Sequence, residues 1–283
     1  MKIDPAVQAH VLRAFAPLNN QAAAHSFPAP ASLSRALQSA NPSQSAGPVS
    51  AGKTVSIAKL YTTAAVDMWM RAVHSFLISA SLTDVSPMWA SITGYYSSHY
   101  TVRSIAHLLG FFQLFTWKKI VRLELLSGSF VCSFDSKTQH DREHRFYWKI
   151  VKSNAIFAAD PFFTQNLGAE SDVAHRERAN YADHLPQFPM FRPLDAVAVR
   201  NRIDRISEIE FSVPPIPRVS HYPDVESVQI IAYHRLVRFR DLVDTIIGTD
   251  NRFWKVHRNP AWARAFMDFQ LTEEATLRSE YTL

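Results

Sequence analysis

Between Thr54 and Leu82 the chain contains neither glycine nor proline, and this one uninterrupted run limits what the rest of it can fold into. Ile57, Leu60, Tyr61, Ala64, Ala65, Met68, Ala72 and Phe76 recur there at spacings of three and four. They therefore share one face of an α-helix. At 1.5 Å per residue such a helix is about 40 Å long, and its apolar face needs long partners to cover it. The following sequence offers them. Ser86 before Pro87 is an N-cap with proline at the first helical position, which predicts a second helix to about Gly110. Gln139 to Phe157, Asp172 to about His184 and Asp195 to Glu210 read as further helices, divided by Asp160-Pro161 and by the stretch from Pro186 to Pro193. Beyond Val213 to Pro217, two more are expected: Asp224 to Ile247, stopped by Gly248, and Ala261 to Tyr281 after Asn259-Pro260.

One segment departs from this pattern. Phe111 to Phe134 is rich in β-branched and aromatic residues on either side of Ser127-Gly128-Ser129, which predicts a β-hairpin. The expected fold class is mainly α: a helical bundle with one inserted β-hairpin. Residues 18–52 are rich in Ala, Ser, Pro and Asn and contain few large apolar side chains. Little there offsets the entropy of ordering, so residues 1–52 are expected to form a loose leading segment. A short helix after Pro5, carrying Ala6, Val11 and Phe15, is expected within it. Residues 53–283 are then one helical domain. Trp254, Trp262 and Phe266 are expected in its core.

Composition narrows the function classes. Cys132 is the only cysteine, so no intrachain disulfide can form and a reducing, cytoplasmic compartment is expected. Met1 to Pro17 lacks the apolar core of a signal peptide, and the most apolar stretch, Ser104 to Trp117, is too short to span a bilayer. A membrane role is not expected. The net charge is +5, and 21 of the 30 basic residues are arginine, the side chain suited to bidentate contact with phosphate or carboxylate. No run of five or six like charges marks a nucleic-acid arm.

Three patterns carry possible chemistry. Gly47-Pro-Val-Ser-Ala-Gly52-Lys53-Thr54 matches the phosphate-loop pattern, and Ala155 to Asp160 could imitate its acidic strand. That mechanism needs a buried strand feeding the loop, and the preceding polar residues predict none. A helix start after a linker is the expected reading. His140-Asp-Arg-Glu143-His144 fits an inverted zinc-protease signature, with Glu208 or Glu210 as a distant third ligand. Its charged residues equally describe a solvated helix start, and neither a metal nor a cofactor is expected. Tyr96, His99, Arg103 and His107 follow at three, four and four residues and make one polar stripe along an otherwise apolar helix. A satisfied polar seam between helices is the expected reading, with a binding or active cleft as the alternative.

The segment from Gly94 to Gly110, GYYSSHYTVRSIAHLLG, resembles the tyrosine-opening helix of HEPN-type proteins. Arg178-Ala-Asn180-Tyr181 is similar to a segment on a later helix of that group, and together they resemble a distant HEPN-like protein of the YaaC-like kind. The resemblance covers about Thr54 to His184. It implies an antiparallel helical bundle that forms a homodimer and binds RNA or cleaves it without metal, in a defence or toxin setting. It also implies that Arg178 and His184, with five residues between them, are the catalytic pair. Tyr96, His99, Arg103, His107, Asn180 and Tyr181 would then be binding residues. The family's active members usually place a polar residue after the arginine, where this chain has Ala179. The competing expectation is a non-catalytic helical interaction protein that uses the same stripe as a packing or dimer seam.

Overall fold

A computed structural model describes residues 9, 46–48, 51–114, 119–126, 129–136, 143–164, 176, 195–217, 224–250 and 252–258. The elements are β1 (Ala46–Pro48), α1 (Ala51–Leu82), α2 (Pro87–Leu108), β2 (Phe111–Leu114), β3 (Lys119–Leu126), β4 (Ser129–Ser136), α3 (Glu143–Ser153), α4 (Pro161–Thr164), α5 (Ala196–Glu208), α6 (Val225–Ile247) and α7 (Arg252–Arg258). The fold is mainly α with an inserted β-hairpin, as the periodicities predict. The chain forms two compact units. One comprises Met1–Met70, Thr101–Ala159 and Phe239–Arg258, and the other Arg71–Tyr100, Asp160–Arg238 and Asn259–Leu283. Helices α1, α2 and α6 supply residues to both.

In the first unit, β3 and β4 are the predicted hairpin, pairing antiparallel from Lys119↔Ser136 to Leu126↔Ser129. Short strands extend it on both sides, in the order β1-β4-β3-β2. Strand β1 corrects the expectation that no strand precedes Gly52. It lies at the edge of the sheet, antiparallel to β4, with Gly47 opposite Cys132 and Pro48 opposite Val131. An edge strand is held by its backbone and tolerates proline, so it needs no apolar alternation that a sequence could reveal. Its placement also removes the phosphate-loop reading. Gly47 lies in the strand and Gly52-Lys53-Thr54 in α1, which leaves only residues 49–50 between the two elements.

Gly110 makes the turn from α2 into the sheet with φ at 85°, a left-handed conformation that favours glycine. Its carbonyl accepts the Leu123 N–H at 2.8 Å. Helix α3 buries Phe146, Tyr147, Trp148 and Val151 and exposes Arg145, Lys149 and Lys152, and the Tyr147 hydroxyl accepts the N–H of Gln113 on β2 at 3.1 Å. The helix ends at Ser153 instead of the expected Phe157. The Asn154 carboxamide accepts the Ile156 N–H at 3.0 Å, a local bond that competes with helix continuation. Helix α7, which periodicity does not predict, is fastened by side chains. The Trp254 indole and the Arg258 guanidinium both donate to Asp244, each at 2.8 Å, and the Trp69 indole donates to the His257 carbonyl at 3.2 Å. Trp254 is fully buried against Trp69 and Phe239, as its expected core placement requires.

In the second unit the same pair of long helices runs antiparallel, with Ser79 donating to the Ala90 carbonyl at 2.6 Å and Ser97 to that of Ala72 at 2.8 Å. The first unit repeats the contact between Ser104 and Ala65 at 2.6 Å. Helix α6 crosses at Gly94, where a Cβ would meet Val228 Cγ1 at 2.9 Å and Ser79 Oγ at 3.0 Å. Beside this crossing, fully buried Gln229 donates to Ser79 and Thr83 at 3.1 and 2.8 Å. Asp195 caps α5 by accepting from Val197 and Ala198, and Gly248 with φ at 82° follows the last residue of α6, the expected stop. Asp160 caps α4 through Phe162 at 2.9 Å and bonds Arg238 at 2.6 Å. The fully buried Arg235 donates to the Phe162 carbonyl at 2.8 Å.

Several expected features fall outside the described residues. These are the linker over 18–45, the helix from Ala261 to Tyr281, the core placement of Trp262 and Phe266, and His140 of the zinc-like pattern; of the expected helix from Asp172 to His184 only Arg176 is described, and it is helical. Of the expected leading helix only Ala9 is described, and it is helical.

Candidate functional site

Helix α2 carries the polar stripe because serine, glycine and alanine on its other faces let neighbouring backbones come close, leaving the large polar rings to fill the remaining direction. Tyr96 and His99 belong to the second unit, Arg103 and His107 to the first.

In the second unit the stripe is part of an aromatic cluster. Tyr95 is fully buried. Its ring meets Tyr96 edge-on with centroids 5.5 Å apart and lies nearly parallel to His99, 6.2 Å away. His99 also sits 5.9 Å from Tyr100, and Tyr100 5.9 Å from Tyr96. His99 is buried, while Tyr96 and Tyr100 are half-buried. The Arg176 guanidinium lies 5.0 Å over the Tyr95 ring, within the range of a cation–π contact. Neither Tyr95 nor Arg176 was among the residues singled out from the sequence. The available signals were the Tyr-Tyr pair itself and the position of Arg176 two residues before Arg178.

In the first unit the stripe is enclosed. Arg103 lies 5.3 Å over the Tyr147 ring. His107 packs 5.0 Å from Phe112 and edge-on to Tyr147 at 5.7 Å, with 1% of its surface exposed. Burial, reinforced by the nearby Arg103 charge, lowers its pKa to about 3, and only a weak pull from the Ala64 backbone acts in the other direction. Among the described residues neither ring nitrogen meets a partner in full hydrogen-bond geometry; the Ala64 contact is therefore marginal. His107 is neutral at pH 7 and does not serve as a proton shuttle there.

A second histidine behaves alike. His234 is packed against Phe162 at 4.9 Å and Phe211 at 5.6 Å, and its pKa is lowered by burial and then by Arg238. Its i+4 neighbour Arg238 holds Asp160 and stacks 4.1 Å over Phe162, so this cluster joins α4 to α6. Arg178, Asn180, Tyr181 and His184 lie outside the described residues. Among the described residues no group of His, Cys, Asp or Glu could hold a metal ion, and no helix is long and apolar enough to cross a membrane.

Comparisons with protein-family models, with curated proteins and with solved structures find no match to this chain.

Proposed function

We propose that this chain is a HEPN-like helical protein of the cytoplasm that binds RNA and cleaves it without metal, acting as a homodimer with Arg178 and His184 as its catalytic pair. The observation that supports this reading is the Arg176 guanidinium over Tyr95. It sets Arg176, two residues ahead of Arg178 in the sequence, against the Tyr-Tyr pair of α2. The half-buried rings of Tyr96 and Tyr100 offer faces on which an unpaired base can stack. In this mechanism a ribose 2′-hydroxyl attacks the adjacent phosphorus and the bond to the 5′-oxygen breaks; His184 either takes the hydroxyl proton or supplies the proton that the leaving oxygen takes up, water exchanging the other proton, while Arg178 balances the negative charge that develops.

A second reading is favoured by the enclosure of His107. The lower half of the stripe is a packing seam, and a protein whose whole stripe served that purpose would be a non-catalytic interaction protein. The two readings separate on incubation of the purified protein with mixed RNA in EDTA. Products ending in 2′,3′-cyclic phosphate, lost in both Arg178→Ala and His184→Ala with folding intact, are expected from the ribonuclease. Intact RNA, or cleavage that survives both substitutions, would overturn the site assignment.

A further inference from the structure

The two faces of α3 (Glu143–Ser153) have different surroundings. Phe146, Tyr147, Trp148 and Val151 are buried, and the Tyr147 hydroxyl is tied to the Gln113 N–H of β2, so the helix is held firmly in the first unit. Arg145, Lys149 and Lys152 stand on the opposite face, and all three are exposed. Their spacing of four and three residues puts them in one row, about 10 Å from first to last at 1.5 Å per residue. Among the described residues, no hydrogen bond or ion pair engages any of these three side chains. Every other arginine and lysine whose side chain is described takes part in a hydrogen bond, ion pair, ring contact or electrostatic interaction. The open cations are therefore not scattered over the surface but aligned on one rigid helix.

We propose that this row binds the phosphate backbone of a nucleic-acid strand without reading its bases. The inference rests on α3 alone and not on the ribonuclease reading. A linear row of positive charge is complementary to a linear array of negative charge. Phosphates of one stacked strand follow one another at about 3.4 Å of axial rise, so the row spans about three of them. Such contacts position a strand and carry no sequence information. The aromatic side chains of α3, on which bases would otherwise stack, are buried. An anionic membrane shares the negative charge, but it takes up a helix by its apolar face, and that face of α3 is already covered. An acidic protein partner would need an apolar core to the interface, whereas the exposed residues described on α3 are Arg145, Lys149, Lys152 and Ser153.

The test follows the anisotropy of a fluorescein-labelled oligodeoxythymidylate titrated with the full chain between 50 and 200 mM salt. DNA lacks the 2′-hydroxyl that the cleavage step needs, so binding is read whether or not the chain is a ribonuclease. Each phosphate contact on a single strand contributes about 0.7 to the slope of log affinity against log salt. Three contacts give a slope of about −2 from the row, which is a loss of about twentyfold over that salt range. The triple variant Arg145→Gln, Lys149→Gln, Lys152→Gln should flatten the slope by about 2 and weaken binding at 50 mM salt by at least about tenfold, and Lys149→Gln alone should flatten it by about 0.7. Because these side chains are exposed, circular dichroism and thermal melting should be unchanged in both variants. Lys255→Gln removes an equally exposed cation that is paired with Asp250, and it should leave affinity and slope as they are. Four outcomes would overturn the proposal: no binding by the wild type at 50 mM salt, a triple variant that binds with unchanged affinity and slope, a Lys255→Gln effect as large as that of Lys149→Gln, which would make net charge the cause, or cosedimentation with phosphatidylserine vesicles in place of oligonucleotide binding.

Discussion

Midway along α2, His99 lies nearly parallel to Tyr95 beside the half-buried rings of Tyr96 and Tyr100, with the Arg176 guanidinium over Tyr95. Two turns later His107 is enclosed between Phe112 and Tyr147, with Arg103 nearby and its proton affinity suppressed. The residue types along the stripe are nearly the same, and periodicity cannot tell the halves apart. What differs is the neighbouring chain. One half borders Arg176, whereas the other is covered by Phe112 of β2 and Tyr147 of α3. A histidine's chemistry is set by what covers it rather than by its place on a helix.

The largest test of this contrast uses acid. Unfolded, His107 takes up a proton below pH 6.5, but the folded protein resists until about pH 3. Across that window the unfolded state binds more protons, so stability falls as the pH is lowered. At 1.36 kcal/mol per pH unit, acidification from pH 6.5 to about 4 costs on the order of 3 kcal/mol. His234, also lowered, acts in the same direction. At Asp244, burial pushes the carboxyl up, but hydrogen bonds from Arg258 and Trp254 outweigh it and leave the pKa below 3.8, so its stabilising contribution is lost only at still lower pH. Urea unfolding of His107→Leu should show most of this acid dependence removed and, at pH 7, a gain of about 1 kcal/mol from deleting a poorly bonded buried polar ring. Equal slopes for variant and wild type would mean that His107 is not enclosed.

Gly94→Ala sharpens the comparison beside the aromatic cluster. Crowding against Val228 and Ser79 costs about 2 kcal/mol, and the better helix propensity of alanine returns about 1 kcal/mol. A net loss of about 1 kcal/mol by thermal or urea unfolding is expected. A stabilised variant would show that α6 does not press on α2 at this point.

The smallest effect is expected from Arg176→Gln, which removes the cation over Tyr95 and should lower stability by about 0.5 kcal/mol. Its value lies in a second readout. If this contact positions the segment that carries Arg178, RNA cleavage falls by more than the stability change explains, and Arg176→Lys restores part of it. A loss of stability with cleavage unchanged would make the contact a packing feature only.

Legibility from the sequence followed the locality of the signal. Helix α6 and its stop at Gly248, the Pro87 start of α2 and the hairpin around Gly128 are each encoded within a few neighbouring residues. Helix α7 was missed because its hold on the fold depends on distant partners: Trp69 reaches the His257 carbonyl across 188 positions. Strand β1 was missed because backbone pairing leaves no side-chain pattern. At the candidate site, spacing alone revealed the stripe of Tyr96, His99, Arg103 and His107. The Arg176–Tyr95 contact and the enclosure of His107 arise from tertiary packing, which spacing does not encode.

The contacts between α1 and α2 recur every seventh residue on both helices, at 65, 72 and 79 and at 104, 97 and 90. Such a ladder is degenerate, because sliding one helix by a heptad would again set small residues opposite one another. It therefore fixes how near the helices lie without choosing their alignment. That choice falls to the four residues from Thr83 to Ser86, whose tight link begins with the Ser86 N–H bonded to the Leu82 carbonyl at 2.7 Å. Lengthening this link would free a vernier, giving a hairpin of unchanged width with two competing alignments.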